Sequence, residues 1–164
     1  MSVTLHTTVG DLKISLACVL CPRLCENFLA LCASSSYDKC IFHRVIRGFI
    51  AQTGDPTNTG KGVENGIAGA PLADEFSSTL RHDARGIVAC ANKSVRDSNG
   101  SQFYITFAAA PTLDDKNPVI GRVVDGWETL DKIEAAAISG KKYRPVEDIT
   151  ILRVSIHSNP LAPS

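Results

Sequence analysis

Val3, Leu5 and Thr7 alternate with Ser2, Thr4 and His6, and after Val9-Gly10-Asp11 the alternation resumes at Leu12, Ile14 and Leu16. A period of two on both sides of a glycine turn predicts a hairpin with one buried face. The period then changes. Leu24, Phe28, Leu31 and Cys32 recur at helical spacing behind Pro22, which suits a first helical turn because the N–H it lacks would find no partner there. With no glycine between Pro22 and Ala33, that stretch reads as one helix. Strands are predicted at Phe42–Ile46, Phe49–Thr53, Ile87–Ala91, Phe103–Phe107 and Val119–Val123, with Val146–Ile156 closing the set. Trp127, Leu130, Ile133 and Ala137 mark a second helix ending near Gly140. Many short strands and two helices predict a closed barrel with helices plugging its ends. The long Gly-, Asn- and Thr-rich loop from Gly54 to Gly69 is of a length that is more often functional than idle.

Composition narrows the picture without changing it. The 164 residues fit a single domain, 1–157, with a short tail, 158–164, that frays. Seventeen basic and seventeen acidic side chains cancel, so no basic stripe for a phosphate backbone is present, which argues against direct nucleic-acid binding. Apolar runs such as Ile87 to Ala91 are too short to cross a bilayer. No cationic flank and apolar stretch open the chain, so a cytoplasmic or nuclear location is the expectation. Six cysteines, five of them between Cys18 and Cys40, include a Cys18-x-x-Cys21 pair that resembles half a zinc or redox motif. No second such pair follows, so no metal is expected. Cys25 and Cys32 share a helical face with Phe28, where cysteine acts as a small hydrophobe. A regulatory disulfide, or a thiol redox sensor, would fall on Cys32 and Cys40.

The candidate chemistry is concentrated in two segments, F-H-R-V-I-R-G-F-I-A-Q-T-G-D at Phe42–Asp55 and N-G-S-Q-F-Y-I-T at Asn99–Thr106. Arg44 and Gln52 lie eight apart, an even offset that puts both on one face of extended chain, with Phe49 and Ile50 between them beside the permissive Gly48. A cation, an amide and an apolar floor together suit an uncharged, partly apolar group. His43 reads as a hydrogen-bonded structural residue, and Asp74-Glu75 as a solvated loop.

These segments, with C-E-N-F-L-A-L-C at Cys25–Cys32 and G-I-V-A-C-A-N at Gly86–Asn92, resemble the cyclophilins, peptidyl-prolyl cis–trans isomerases, from Thr4 to about Ile156. The resemblance implies a closed eight-stranded antiparallel β-barrel capped by two α-helices, with a proline groove on its outer surface. It implies Arg44, Gln52 and Phe49 as catalytic residues. Ile50, Tyr104 and Leu113 would hold the proline ring with Phe49, while the backbone of Asn92 holds the peptide and Ala91 and Gln102 line the neighbouring groove. No metal or cofactor is called for, because the reaction moves no proton and makes no bond. The implied partners are proline-containing peptides or proteins, whose folding or remodelling the enzyme would assist. Docking in a spliceosome-like assembly, with incidental catalysis, is the alternative. A monomer is expected, since a closed barrel leaves no edge.

Four pocket positions depart from the family pattern. Ile50 replaces methionine, Tyr104 replaces phenylalanine, Thr112 stands where tryptophan is usual, and Asn117 where histidine is. Without that tryptophan the resemblance implies weak or no cyclosporin binding, and reduced isomerase activity. The segments Lys93–Ser98 and Lys61–Pro71 also depart from the family pattern, which implies a shifted preference for residues upstream of the proline.

Overall fold

The computed structural model describes residues 1–61 and 70–157. Ten strands, two α-helices and one 3-10 turn are formed: β1 (Ser2–Thr7), β2 (Gly10–Leu16), α1 (Pro22–Ala33), β3 (Arg44–Ile46), β4 (Ile50–Thr53), β5 (Ile87–Cys90), β6 (Phe103–Thr106), the turn Pro111–Leu113, β7 (Val119–Asp125), α2 (Trp127–Ala135), β8 (Ile138–Ser139), β9 (Arg144–Pro145) and β10 (Ile151–His157). Eight strands make one antiparallel sheet in the order β10-β1-β2-β7-β5-β6-β4-β3, and β8 pairs only with β9.

The expected closure is incomplete. The sheet curls into a half-barrel whose end strands, β3 and β10, do not pair. Across that seam residues 39–42 meet 149–151 through Lys39 N–H to Ile151 O (2.7 Å), Phe42 N–H to Ile149 O (2.9 Å) and an isolated bridge between Ile41 and Thr150. Beyond it, Val45 N–H donates to Tyr143 O at 2.8 Å, so the β8–β9 hairpin occupies the edge that β10 would need. The predicted closing strand from Val146 is likewise too long, and the second helix stops at Ala135, short of the predicted Ala137. The tail 158–164, and most of the far end of the predicted loop (62–69), lie outside the described residues.

The inner face is the core. Val3, Leu5, Leu12, Ile14, Ala51, Val88, Phe103, Ile105 and Ile120 point inward and are buried. One mouth is filled by α1 through Leu24, Cys25, Phe28, Leu31 and Cys32, and the other by Leu130 and Ile133 of α2. Phe28, Tyr37 and Phe103 form a tilted and edge-to-face trio with centroids 5.1–5.3 Å apart, a geometry that adds to their area burial.

Two acidic residues expected in a solvated loop are instead structural. Cys21 cannot cap α1, and Glu75 does so from a distance, accepting from Leu24 N–H (2.7 Å) and Arg23 N–H (3.4 Å). Asp74 accepts from Asn99 Nδ2 (2.7 Å) and Asp97 N–H (3.2 Å), which ties two loops together. All six cysteines are free thiols. Burial pushes Cys32 up to about 12 and Cys40 up to about 11, so neither is a ready thiolate. Among the described residues no cluster of His, Cys, Asp or Glu is arranged to hold a metal, and no helix is long and apolar enough to cross a membrane.

Candidate active site

Alternation along β4, β5 and β6 sends one set of side chains inward and the other to the outer face. On most sheets of this kind the outer set is polar. Here it is not. Ile50, Ile87, Ala89, Tyr104 and Val119 form a second buried cluster, flanked by the half-buried Phe49, Leu80, Ala91 and Leu113. Strand register aligns one row straight across the sheet: Arg44 opposite Gln52, Gln52 opposite Tyr104, Tyr104 opposite Ala89, and Ala89 opposite Val119. A cation, an amide and three apolar surfaces therefore lie in sequence on one face.

Arg44 and Gln52 do share that face, though for a different reason from the even offset. A three-residue turn, Arg47-Gly48-Phe49, separates their strands, and they meet as a cross-strand pair. Gly48 takes φ of 77° at the turn, a conformation that disfavours side chains. Glu134 of α2 secures it, accepting from Gly48 N–H at 2.8 Å while also pairing with Arg85 at 2.8 Å. Phe107 N–H donates to Phe49 O at 2.8 Å, fixing the backbone that carries the Phe49 ring.

The polar groups are chained. Arg44 Nη1 donates to Gln52 Oε1 at 3.4 Å, Gln52 Nε2 to Gln102 Oε1 at 2.9 Å, and Gln102 Nε2 to Gly60 O at 3.3 Å. Both amide orientations are set by this chain, and Arg44 is exposed. A small recess of about 100 Å3 next to it is lined by Gln52, Gly60, Ala91, Asn92 and Gln102.

The Tyr104 hydroxyl meets His82 Nε2 at 2.7 Å, and His82 Nδ1 meets Asp114 Oδ1 at 2.8 Å. His82 is 1% exposed and stacks on the Tyr104 ring at 5.9 Å. Asp114 accepts the Nδ1 proton, so Nε2 is left to accept the Tyr104 O–H. Burial lowers the His82 pKa, only partly opposed by Asp114, and burial raises that of Tyr104, so both are neutral at pH 7. For Asp114, burial alone would raise the pKa, but hydrogen bonds from the His82 backbone and ring, with Arg81 nearby, outweigh it and hold the carboxyl below its usual range.

Of the remaining expected residues, Thr112 sits exposed on the 3-10 turn next to Leu113. Asn117 is half-buried, and one of its two amide N–H groups donates to Cys90 O at 2.9 Å. The Asn92 side chain braces Asn99 and Lys116 at 3.2 Å each. His43 is 8% exposed, and burial lowers its pKa, partly opposed by Asp55 and by a backbone hydrogen bond with Ile41. Sequence reasoning missed His82 and Asp114 altogether. It also missed Ile87, Ala89 and Val119, although a strand apolar on both faces, as at Ile87–Ala91, signals that something must cover the outer side.

Comparison with known proteins places the whole chain in one family. The family profile described as cyclophilin type peptidyl-prolyl cis-trans isomerase/CLD matches residues 2–156. The chain is 54% identical over 162 residues to human peptidyl-prolyl cis-trans isomerase-like 3, covering 99% of each. It is equally 54% identical over 162 residues, and 99% of each chain, to peptidyl-prolyl cis-trans isomerase 10 of Caenorhabditis elegans. Among solved structures, a Cryptosporidium parvum cyclophilin type peptidyl-prolyl cis-trans isomerase, crystallised in the presence of the dipeptide Ala-Pro, superposes with a TM-score of 0.92 at 43% identity, over 97% of this chain and 100% of that one. Family profile, full-length similarity and fold agree, and the chain belongs to the cyclophilin-type peptidyl-prolyl cis-trans isomerases.

Proposed function

We propose that the outer row binds an X–Pro segment and lowers the barrier to rotation about its imide bond, with Arg44 as the principal catalytic residue. The bond resists rotation with about 18–20 kcal/mol of resonance-derived barrier, and turns over unaided in roughly tens to hundreds of seconds. Reaching milliseconds takes about five decades, or roughly 7 kcal/mol.

Twisting the imide removes conjugation and gives the prolyl nitrogen a lone pair that accepts hydrogen bonds poorly in the planar state. A donor aimed at that nitrogen therefore binds the twisted form in preference, which is the condition for catalysis. The Arg44 guanidinium stays charged and has N–H groups beyond the one directed at Gln52. A charge-assisted bond of this kind is worth about 1.5–3 kcal/mol. The amide chain from Gln52 to Gln102 fixes the donor's direction, so little reorganisation is needed at the moment of twisting. Phe49, Ile50, Tyr104 and Leu113 offer the apolar seat for the ring, and Ala91, Asn92 and Gln102 border the path of the upstream residues.

The observation that carries this reading is the aligned row of Arg44, Gln52 and Tyr104 over an apolar outer cluster. Exchange NMR on an Ala-Pro peptide tests it: Arg44→Ala should lower the catalysed rate by about 10- to 100-fold, and equal rates in both proteins would overturn the role. The second reading, a docking module with slow turnover, draws on the exposed Thr112, which leaves the wall beside Leu113 low. It predicts that Arg44→Ala keeps its partners in a pull-down, including any from a spliceosome-like assembly.

A further inference from the structure

Past Gln52 the groove changes character. Its Arg44 end opens into a recess of about 350 Å3 lined by His43, Arg44, Lys61, Lys141 and Lys142 among others, and among the described residues no carboxylate lines it. Cations do not gather at one place without cost, and the backbone holds these there. The β8–β9 hairpin that carries Lys141 and Lys142 is pinned to β3 by the bond from Val45 N–H to Tyr143 O, and to α2's end by Val146 N–H to Ala137 O (2.8 Å). Tyr143 takes φ of 56° to make that bend. On the opposite wall the loop carrying Lys61 is braced from within. Asp55, fully buried, accepts from Thr57 N–H (2.8 Å) and Gly60 N–H (2.7 Å), and Lys61 N–H donates to Thr59 Oγ1 (3.1 Å). The nearby Arg144 is answered by Asp148 at 3.5 Å, outside the recess. His43, a buried side chain, forms part of the same lining.

We propose that this recess is an anion subsite of the proline groove, receiving a carboxylate or a phosphate carried by a residue flanking the X–Pro bond. Preferred substrates are then acidic or phosphorylated proline segments. The proposal rests on the isomerase reading for its location, since Arg44 and Gln52 border both the groove and the recess. Converging positive charges in a concave site raise the local potential and attract the opposite charge. A nucleic-acid strand is the poorer fit. Its binding calls for a track of cations along a face, whereas these occupy one recess on a chain whose charges otherwise balance.

The test uses four peptides of one length around Ala-Pro, with alanine, glutamate, phosphoserine or lysine beside the dipeptide. Affinity is read by NMR titration and turnover by exchange NMR. Two or three exposed charge contacts should make the glutamate peptide bind about five-fold tighter than the alanine peptide. Phosphoserine, with close to two charges, should gain about ten-fold or more, and lysine should lose affinity. The ranking should fade at about 0.5 M salt, where screening is shorter than the recess is wide. Lys141→Glu with Lys142→Glu should reverse it. Equal affinity for the glutamate and alanine peptides overturns the proposal, as does a ranking that survives the double reversal. Tighter binding of a single-stranded oligonucleotide than of the phosphopeptide also overturns it. No turnover on any peptide with the charge ranking intact would remove the isomerase reading and leave the subsite standing. Fast turnover without a ranking would do the reverse.

Discussion

Tyr104→Phe separates what the hydroxyl does from what the ring does. The ring is 3% exposed and part of the outer apolar cluster, and phenylalanine fills the same space. The hydroxyl meets His82 Nε2 at 2.7 Å, beneath the floor. Removing it leaves that nitrogen, on a side chain 1% exposed, with no donor. An unsatisfied buried acceptor costs about 1–3 kcal/mol. For a domain of this size each kcal/mol moves Tm by about 2–4 °C, so a fall of roughly 2–12 °C is expected. Turnover should change by less than about three-fold, because the proline seat and the Arg44–Gln52 contact are untouched, and a loss of net binding energy below about 0.7 kcal/mol corresponds to that ratio. Thermal denaturation followed by circular dichroism gives the first quantity, and exchange NMR on an Ala-Pro peptide the second. A loss of turnover above about ten-fold with unchanged stability would refute the reasoning, since the hydroxyl would then be acting on substrate and not on His82.

Other expectations concern pH, the helix cap, the turn and the drug site. His82 and His43 both have folded pKa values lowered mainly by burial, so the unfolded chain binds protons that the folded one refuses once pH drops through the unfolded value near 6.5. Stability should therefore fall between about pH 7.5 and 5.5, by up to roughly 1.4 kcal/mol per pH unit for each histidine, and urea midpoints that hold steady or rise over that range would contradict it. Glu75→Gln keeps the size but removes the charge at the start of α1, and should cost about 0.5–2 kcal/mol in urea without altering turnover; a loss of turnover at unchanged stability would contradict it. Glu134→Ala frees the Gly48 turn and should raise KM more than it lowers kcat, which steady-state kinetics on the same peptide will separate. Cyclosporin should bind weakly, and Thr112→Trp should tighten it by about ten-fold or more if the low wall is the cause; calorimetry giving nanomolar affinity for the wild type would refute this.

Much of this was legible in the residues. Alternation placed β1 and β2, short apolar runs placed β5 and β6 to within a residue and β7 to within two, and Pro22 placed the start of α1. What failed did so where local pattern gives way to distant contacts. The closing strand was read from Val146 because its apolar residues continue, yet Pro145 and Val146 are occupied by the β8–β9 hairpin and by the bond to Ala137. The same hairpin takes Val45 N–H and so keeps the half-barrel open at β3, a three-dimensional competition that no periodicity encodes. Glu75 and Asp74 look like solvated acids because their partners, Leu24 and Asn99, lie tens of residues away. His82 was invisible for a like reason: a lone histidine in a polar stretch shows its meaning only when Tyr104 and Asp114 arrive from other elements.

The site follows from an imbalance in the fold. A curled sheet buries its inner face on two helices and needs nothing from its outer one, where polar side chains would be free to face water. This sheet nevertheless carries isoleucine, alanine, tyrosine and valine across the outer rows of β4 to β7, with Phe49 and Leu113 half-exposed at their border. The chain itself covers that cluster, whose members are at most 8% exposed, and leaves Phe49, Ala91 and Leu113 half-exposed, where a ligand would remove apolar area from water at about 25 cal/mol for each Å2. A proline ring suits that patch because it is apolar, compact and carries no N–H to be left unpaired. Beneath that patch, the buried bonds from Tyr104 to His82 and from His82 to Asp114 tie β6 to the residue immediately after Leu113, a contribution to stability that leaves the seat for the ring to Phe49 and Leu113.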